Sequence, residues 1–212
     1  MNNDDIRKVT EILQERLSHG LDQRDVDVVQ RQLGRFPRGM VAVGARCVCG
    51  NPLAVITRPL VEQRIPFPTT CYLTSPEAVK AVSRLEADGD MTEYTRRVQE
   101  EPEVKAAYER AHEMYLEFRH QLAERLGDDE SHIAGISAGG MPVRVKCLHA
   151  LTGQALVMGW GVNPIADDVL RRVKAQFDPS VCRCSVPYGV VDDEEANAED
   201  HSDATIERDD AR

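Results

Sequence analysis

The sequence predicts an α+β domain: a small, mostly antiparallel three-stranded sheet packed by several helices. Three observations lead there. Helix-period segments ending in glycine fill the first 34 residues. A region rich in alternating β-branched residues, cut by turn residues, follows between Met40 and Thr74. After Ser75 the apolar spacing returns to the helical period, with prolines at four expected helix starts. The chain has 212 residues, enough for one domain with a real core. We divide it into an N-terminal helix over 1–20, a single folded domain over 21–178 and a tail over 179–212.

Ile6, Val9, Leu13 and Leu17 make one stripe of a helix from Asp4 to Ser18, closed by His19-Gly20. A second helix runs from about Asp22 to Leu33 and stops at Gly34. Arg35-Phe36-Pro37-Arg38-Gly39 reads as a basic loop. Met40 to Val48 is the first strand, with Val41, Val43, Ala45, Cys47 and Cys49 on one face. Gly50-Asn51-Pro52 turns the chain into a second strand, Leu53 to Thr57. A third, Thr69 to Thr74, follows a loop that contains Pro66 and Pro68. Ser75 caps and Pro76 opens a helix to about Ala87. Shorter and longer helices follow over Thr92 to Gln99 and Pro102 to Leu126. Pro142 is expected to start a helix reaching Met158, and Asn163-Pro164 one reaching Gln176.

Charge is unevenly placed. The net charge is −10, and Asp192 to Arg212 alone holds ten acidic residues against two arginines, a net of −8. That tail lacks aromatic residues and reads as disordered. Its acidity makes nucleic acid an unlikely partner and suits a basic protein partner. No apolar run approaches the ~18 residues a membrane helix needs, and the charged N-terminus does not read as a signal peptide. A cytoplasmic location without membrane insertion is therefore expected. Six cysteines in that setting are thiols or metal ligands rather than disulfides.

The densest chemistry lies in Gly135 to His149, GISAGGMPVRVKCLH. Gly139 and Gly140 before a helix start would present unpaired amides to an anion, with Arg144 and Lys146 adding charge and Arg46 joining if its strand lies close. The expected ligand is a small phosphate or carboxylate. Cys147 beside Arg144 and His149 is a candidate nucleophile, and His149 or His112 a candidate acid or base. Core burial competes for Cys147, which falls in line with Leu148, Leu151 and Ala155. His112 lies beside a Tyr108, Tyr115, Leu116 stripe and has the same alternative. The arginines of the basic loop read as surface charges, or as anion ligands if the loop approaches Gly139.

Cys47 and Cys49 on one strand face could hold zinc, with Cys147 and His149 completing a tetrahedron. Residues two apart on a helix point about 200° apart, which objects to the second pair. Burial among Val41, Val43 and Ala45 is the other reading of the first. No other cofactor is expected. Cys182 and Cys184 form a second Cys-x-Cys pair beside the tail. Nothing near them in sequence supplies two more ligands, so they read as mobile surface thiols, with an accessory metal clip as the alternative.

The segments LGRFPRG, ARCVCGNP, PFPTTCYLT, SRLEADGDM, AHEMYL, GISAGGMPVRVKCLHAL and GVNP occur in this order between about Val26 and Leu170. Together they resemble the bacterial domain-of-unknown-function family 501. The resemblance implies an actinobacterial-like protein, often encoded near a septum-formation initiator and an exopolyphosphatase-like phosphatase, and it implies no activity. A non-catalytic adaptor in division or envelope processes is the reading that neighbourhood favours. Two departures stand out. Ser75 lies where the family commonly has cysteine, and Gln63-Arg64-Ile65 where it often has Asp-Gly-Thr.

Overall fold

The computed structural model describes residues 1–186. The predicted fold class holds. Seven α-helices surround an antiparallel sheet of strands β1 (Met40–Arg46), β2 (Pro52–Thr57) and β5 (Cys71–Leu73), in the order β1-β2-β5. Val55 sits at the centre, paired with Val43 on one side and Tyr72 on the other. The expected disordered tail from Asp192 lies outside the described residues.

The helices form where caps and apolar spacing ask for them. Asn2 and Asp5 make a reciprocal capping box for α1 (Asn3–Ser18), whose Val9 and Leu13 are fully buried. Asp22 caps α2 (Gln23–Leu33), and Gly34 ends it in the left-handed conformation. Ser75 caps α3 (Pro76–Ala87), and α4 (Asp90–Glu100) and α5 (Pro102–Leu126) follow as the spacing predicts. α7 (Pro164–Arg172) starts at Asn163, whose side chain accepts from the N–H groups of Ile165 and Ala166.

Helices pack on both faces of the sheet, fully on one and in part on the other. On one face lies α6 (Leu148–Met158), buried on nearly every side, as a helix must be when it crosses a domain's centre. Gly153 lets it come close: a Cβ there would sit 2.5 Å from the carbonyl oxygen of Cys71 in β5. α1 packs on β1 and α5 packs on α1, with Tyr108, Met114, Tyr115 and Phe118 fully buried. The Tyr115 hydroxyl accepts from Thr70 N–H at 2.6 Å and donates to the Pro68 carbonyl, which fixes the PFPTT segment. The other face of the sheet is half covered by α2, through Val29 against Met40, Val43 and Val55. Arg46 and Asp25 fasten α2 to β1 by two hydrogen bonds of 2.6 and 2.7 Å.

Three local expectations give way. The loop around Pro66 is a hairpin, β3 (Leu60–Val61) paired with β4 (Ile65–Pro66), turning through Glu62 and Gln63, both at positive φ. β1 ends at Arg46, so Cys47 and Cys49 belong to the following turn and not to a strand face shared with Val41, Val43 and Ala45. Finally, Pro142 starts no helix. The Met141–Pro142 bond is cis, and a turn over 139–143 followed by irregular chain leads to α6 at Leu148. The backbone of that stretch finds other partners: Val145 exchanges hydrogen bonds with the Thr95 hydroxyl, and Tyr108 donates to the carbonyl of Arg144.

Candidate functional site

Gly139 and Gly140 lie in a turn that leads into no helix, so the helix N-terminus expected to reinforce their amides is not behind them. The turn closes on itself, with Lys146 N–H donating to the Gly139 carbonyl at 2.7 Å and Arg144 N–H to the Gly140 carbonyl at 3.2 Å. Both glycines have positive φ, and a Cβ on either would collide, at 2.5 Å from the Leu151 side chain or 2.7 Å from the Arg144 carbonyl oxygen. They are there for close packing. Arg144 and Lys146 point into solvent. Arg46, committed to Asp25 and to the Gly50 carbonyl, takes no part.

The amide at the start of α6 does meet a negative charge, but an internal one. Glu86 of α3 accepts the Leu148 N–H at 2.6 Å. The same carboxylate oxygen lies 3.1 Å from Nδ1 of His149, while Nε2 faces the Val79 carbonyl at 3.2 Å and the Ser83 hydroxyl at 3.1 Å. The Cys147 sulfur lies 3.9 Å from Nδ1. That sulfur, against the opposing effect of burial, and then Glu86 and Val79, push the imidazole pKa up to about 9. His149 is therefore a held imidazolium at neutral pH, which does not suit a general base. Glu86, Cys147 and His149 have ligand atoms close enough to share an ion, yet the ring is already bonded on both nitrogens.

His112 stands elsewhere, with Nδ1 2.8 Å from the Ser137 hydroxyl. Burial lowers its pKa, Glu113 opposing and Arg119 assisting. His112 and His149 thus serve different contacts, and the two halves of the expected zinc set separate. Cys147 and His149 stay with Glu86. Cys47 and Cys49 join Cys182 and Cys184, and all four sulfur atoms lie within 4.8 Å of one another. The second Cys-x-Cys pair was visible in the sequence, but spacing along the chain could not place it. Residues 179–186, assigned to the tail by sequence, instead return to the domain: Val48 N–H donates to the Pro179 carbonyl, and Ser185 donates twice to Glu77. Burial raises the Cys47 and Cys184 thiols. At Cys49 burial also acts upward, but the Asn51 N–H and the neighbouring thiols outweigh it and leave this thiol lowered. Ser75, one of the family departures, lines the same recess as Cys47 and Cys184.

A further site was visible in the sequence only as the basic loop, whose arginines were expected to act, if at all, beside Gly139. On the sheet face only half covered by α2, the basic loop and the β3–β4 hairpin enclose a recess of about 170 Å³. Met40, Val55 and Tyr72 form its floor, and Leu33, Val61 and Phe67 its walls. Arg35 and Arg38 stand at the rim. Arg35 touches the Tyr72 hydroxyl at 3.4 Å and has no carboxylate partner among the described residues, and Arg38 meets Glu62 at 3.6 Å. The signal was the alternating polarity of the loop beside strand residues, whose convergence depends on the hairpin.

Residues 43–171 match the model of a family described as protein of unknown function, DUF501. The chain belongs to the DUF501 family. No curated protein and no solved structure matches it. The DUF501 match runs from Val43 in β1 to Arg171 in α7; it includes the strand and hairpin side of the recess, leaves Arg35 and Arg38 of the basic loop outside, and stops before Cys182 and Cys184. Among the described residues, no helix of this DUF501 member is long and apolar enough to cross a membrane.

Proposed function

We propose that this DUF501 protein binds a small ligand with an apolar body and a carboxylate or phosphate head, in the recess between α2, the basic loop and the β3–β4 hairpin. The anion-binding reading of the sequence is kept, but moved from Gly139 to Arg35 and Arg38. One observation carries it: an apolar cavity on a sheet face, opening under two guanidinium groups. About 170 Å³ matches the roughly 150 Å³ known to accept a benzene-sized group. Guanidinium pairs oxygen anions by two parallel hydrogen bonds, giving the head group a fixed orientation. The hydroxyls of Thr57 and Tyr72 line the recess without a histidine, cysteine or carboxylate among its lining residues to activate them, so the reading is binding and not catalysis.

Calorimetric titration tests this with phenyl phosphate, phenylacetate, toluene and inorganic phosphate. The two amphipathic anions are expected to bind best, and Arg35→Ala with Arg38→Ala to weaken them by about tenfold or more, equal to about 1.4 kcal/mol. Binding that the double substitution leaves unchanged, or no binding by either amphipathic anion, would refute the reading.

A further inference from the structure

We propose that Cys47, Cys49, Cys182 and Cys184 form a tetrahedral thiolate site for a structural zinc ion, which clips residues 178–186 to the turn between β1 and β2. This inference is independent of the ligand recess.

The geometry fits the ion. A zinc–sulfur bond of about 2.3 Å in a tetrahedron puts neighbouring sulfur atoms about 3.8 Å apart. The four Sγ atoms lie within 4.8 Å of one another, and Cys49 and Cys184 are 3.7 Å apart. A disulfide would need about 2.05 Å, and all four are free thiols. The ligands come from two places 135 residues apart in the chain, so their meeting is a product of the fold and not of local spacing. Four thiolates are a soft donor set, which selects zinc or iron over hard cations. They also fill the coordination shell, leaving no open position for substrate, as in structural sites.

The surroundings explain what the ion is for. Phe177 is buried at 4%, but beyond it the chain has little apolar anchorage: Val181 is 47% exposed. The strap is otherwise held by hydrogen bonds near the surface, from Val48 to Pro179, Asn51 to Val186 and Ser185 to Glu77. Such bonds do little to offset the ordering of a chain end. Four metal–sulfur bonds do. The turn supplies a rigid half-site, because Cys47 N–H donates to the Asn51 carbonyl and Gly50 N–H to the Cys47 carbonyl. Cys49 and Cys182 are exposed, so an ion can enter. Binding replaces the four thiol protons by one zinc ion, releasing four protons and leaving a centre of charge −2. Arg183, between two of the ligands in sequence, lines the same recess as Cys47 and Cys184 and brings a positive charge to offset that of the centre.

The test uses the full chain, purified under reducing conditions. Elemental analysis is expected to find one zinc per chain. Cobalt(II) exchanged for zinc should show sulfur-to-metal charge transfer and the strong visible bands of a tetrahedral thiolate site. Both signals should be lost in Cys182→Ser/Cys184→Ser and kept in Cys147→Ser. Site-resolved alkylation on the unmodified sequence guards against a variant that does not fold. A chelator should raise labelling at Cys47, Cys49, Cys182 and Cys184 together and leave Cys147 unchanged. No stoichiometric zinc after anaerobic reconstitution, cobalt bands that survive in the double variant, or stoichiometric iron in place of zinc would each overturn the proposal.

Discussion

Nδ1 of His149 lies 3.1 Å from a carboxylate oxygen of Glu86 that also accepts the Leu148 N–H, so one glutamate on α3 fixes both the ring and the first turn of α6. The Cys147 sulfur, and then Glu86 and the Val79 carbonyl facing Nε2, outweigh burial, so the cationic ring is favoured and its pKa rises from 6.5 to about 9. A histidine raised on folding stabilises fully below its unfolded pKa, and the contribution fades as pH rises through the folded value. His149→Gln is therefore expected to cost about 1–3 kcal/mol at pH 6 and close to nothing near pH 10. Urea unfolding of both proteins across that range measures the difference. A gap that widened with pH would contradict the held imidazolium.

Arg119 is 1% exposed in the middle of α5, where Nε donates to Glu130 at 2.8 Å and the other nitrogens donate to the carbonyls of Ile133 and Ile136. It organises the loop that leads into the Gly139 turn. Arg119→Met removes the Ile136 carbonyl's donor and one of the two groups that bond each of the Ile133 carbonyl and the Glu130 carboxylate. A loss of about 3–5 kcal/mol is expected, measured by denaturant unfolding, with amide exchange speeding up first over 130–137.

Gly153 is expected to tolerate no side chain. The Cβ of Gly153→Ala would sit 2.5 Å from the backbone oxygen of Cys71, and neither α6 nor β5 can yield cheaply. A cost of about 1–3 kcal/mol follows, although alanine is the better helix former. Thermal unfolding decides whether packing or propensity wins.

The β3–β4 hairpin turns through Glu62 and Gln63 at φ 52° and 56°, with Arg64 N–H returning to the Val61 carbonyl. Two consecutive left-handed residues call for glycine or asparagine. Gln63→Gly is expected to stabilise the protein, by about 0.5–1 kcal/mol, seen as a higher melting temperature. Because the hairpin walls the recess, the same substitution should leave phenyl phosphate affinity unchanged or slightly improved.

The fold class was legible because apolar period and caps act locally. Ser75 and Asn163 cap the helices they announce, Asn2 and Asp22 cap the two that their apolar stripe and closing glycine revealed, and strand alternation located β1, β2 and β5. The hairpin was hidden because its turn lacks the Asn-Gly or Asp-Gly signal. The helix expected from Pro142 failed because Thr95 and Tyr108, far away in sequence, satisfy the backbone of 144–145 instead.

The sequence alone determined which residues could carry chemistry: two Cys-x-Cys pairs, the thiol and imidazole at Cys147 and His149, and a basic loop. Only the tertiary structure decided their company. It gave the α6 amide and His149 to Glu86, drew Cys182 and Cys184 to Cys47 and Cys49, and set Arg35 and Arg38 over an apolar recess. The reason is physical. Helix and strand preferences depend on neighbours a few residues apart, whereas ligand sets and pockets depend on groups brought together by burial of the core, over separations that no local pattern records.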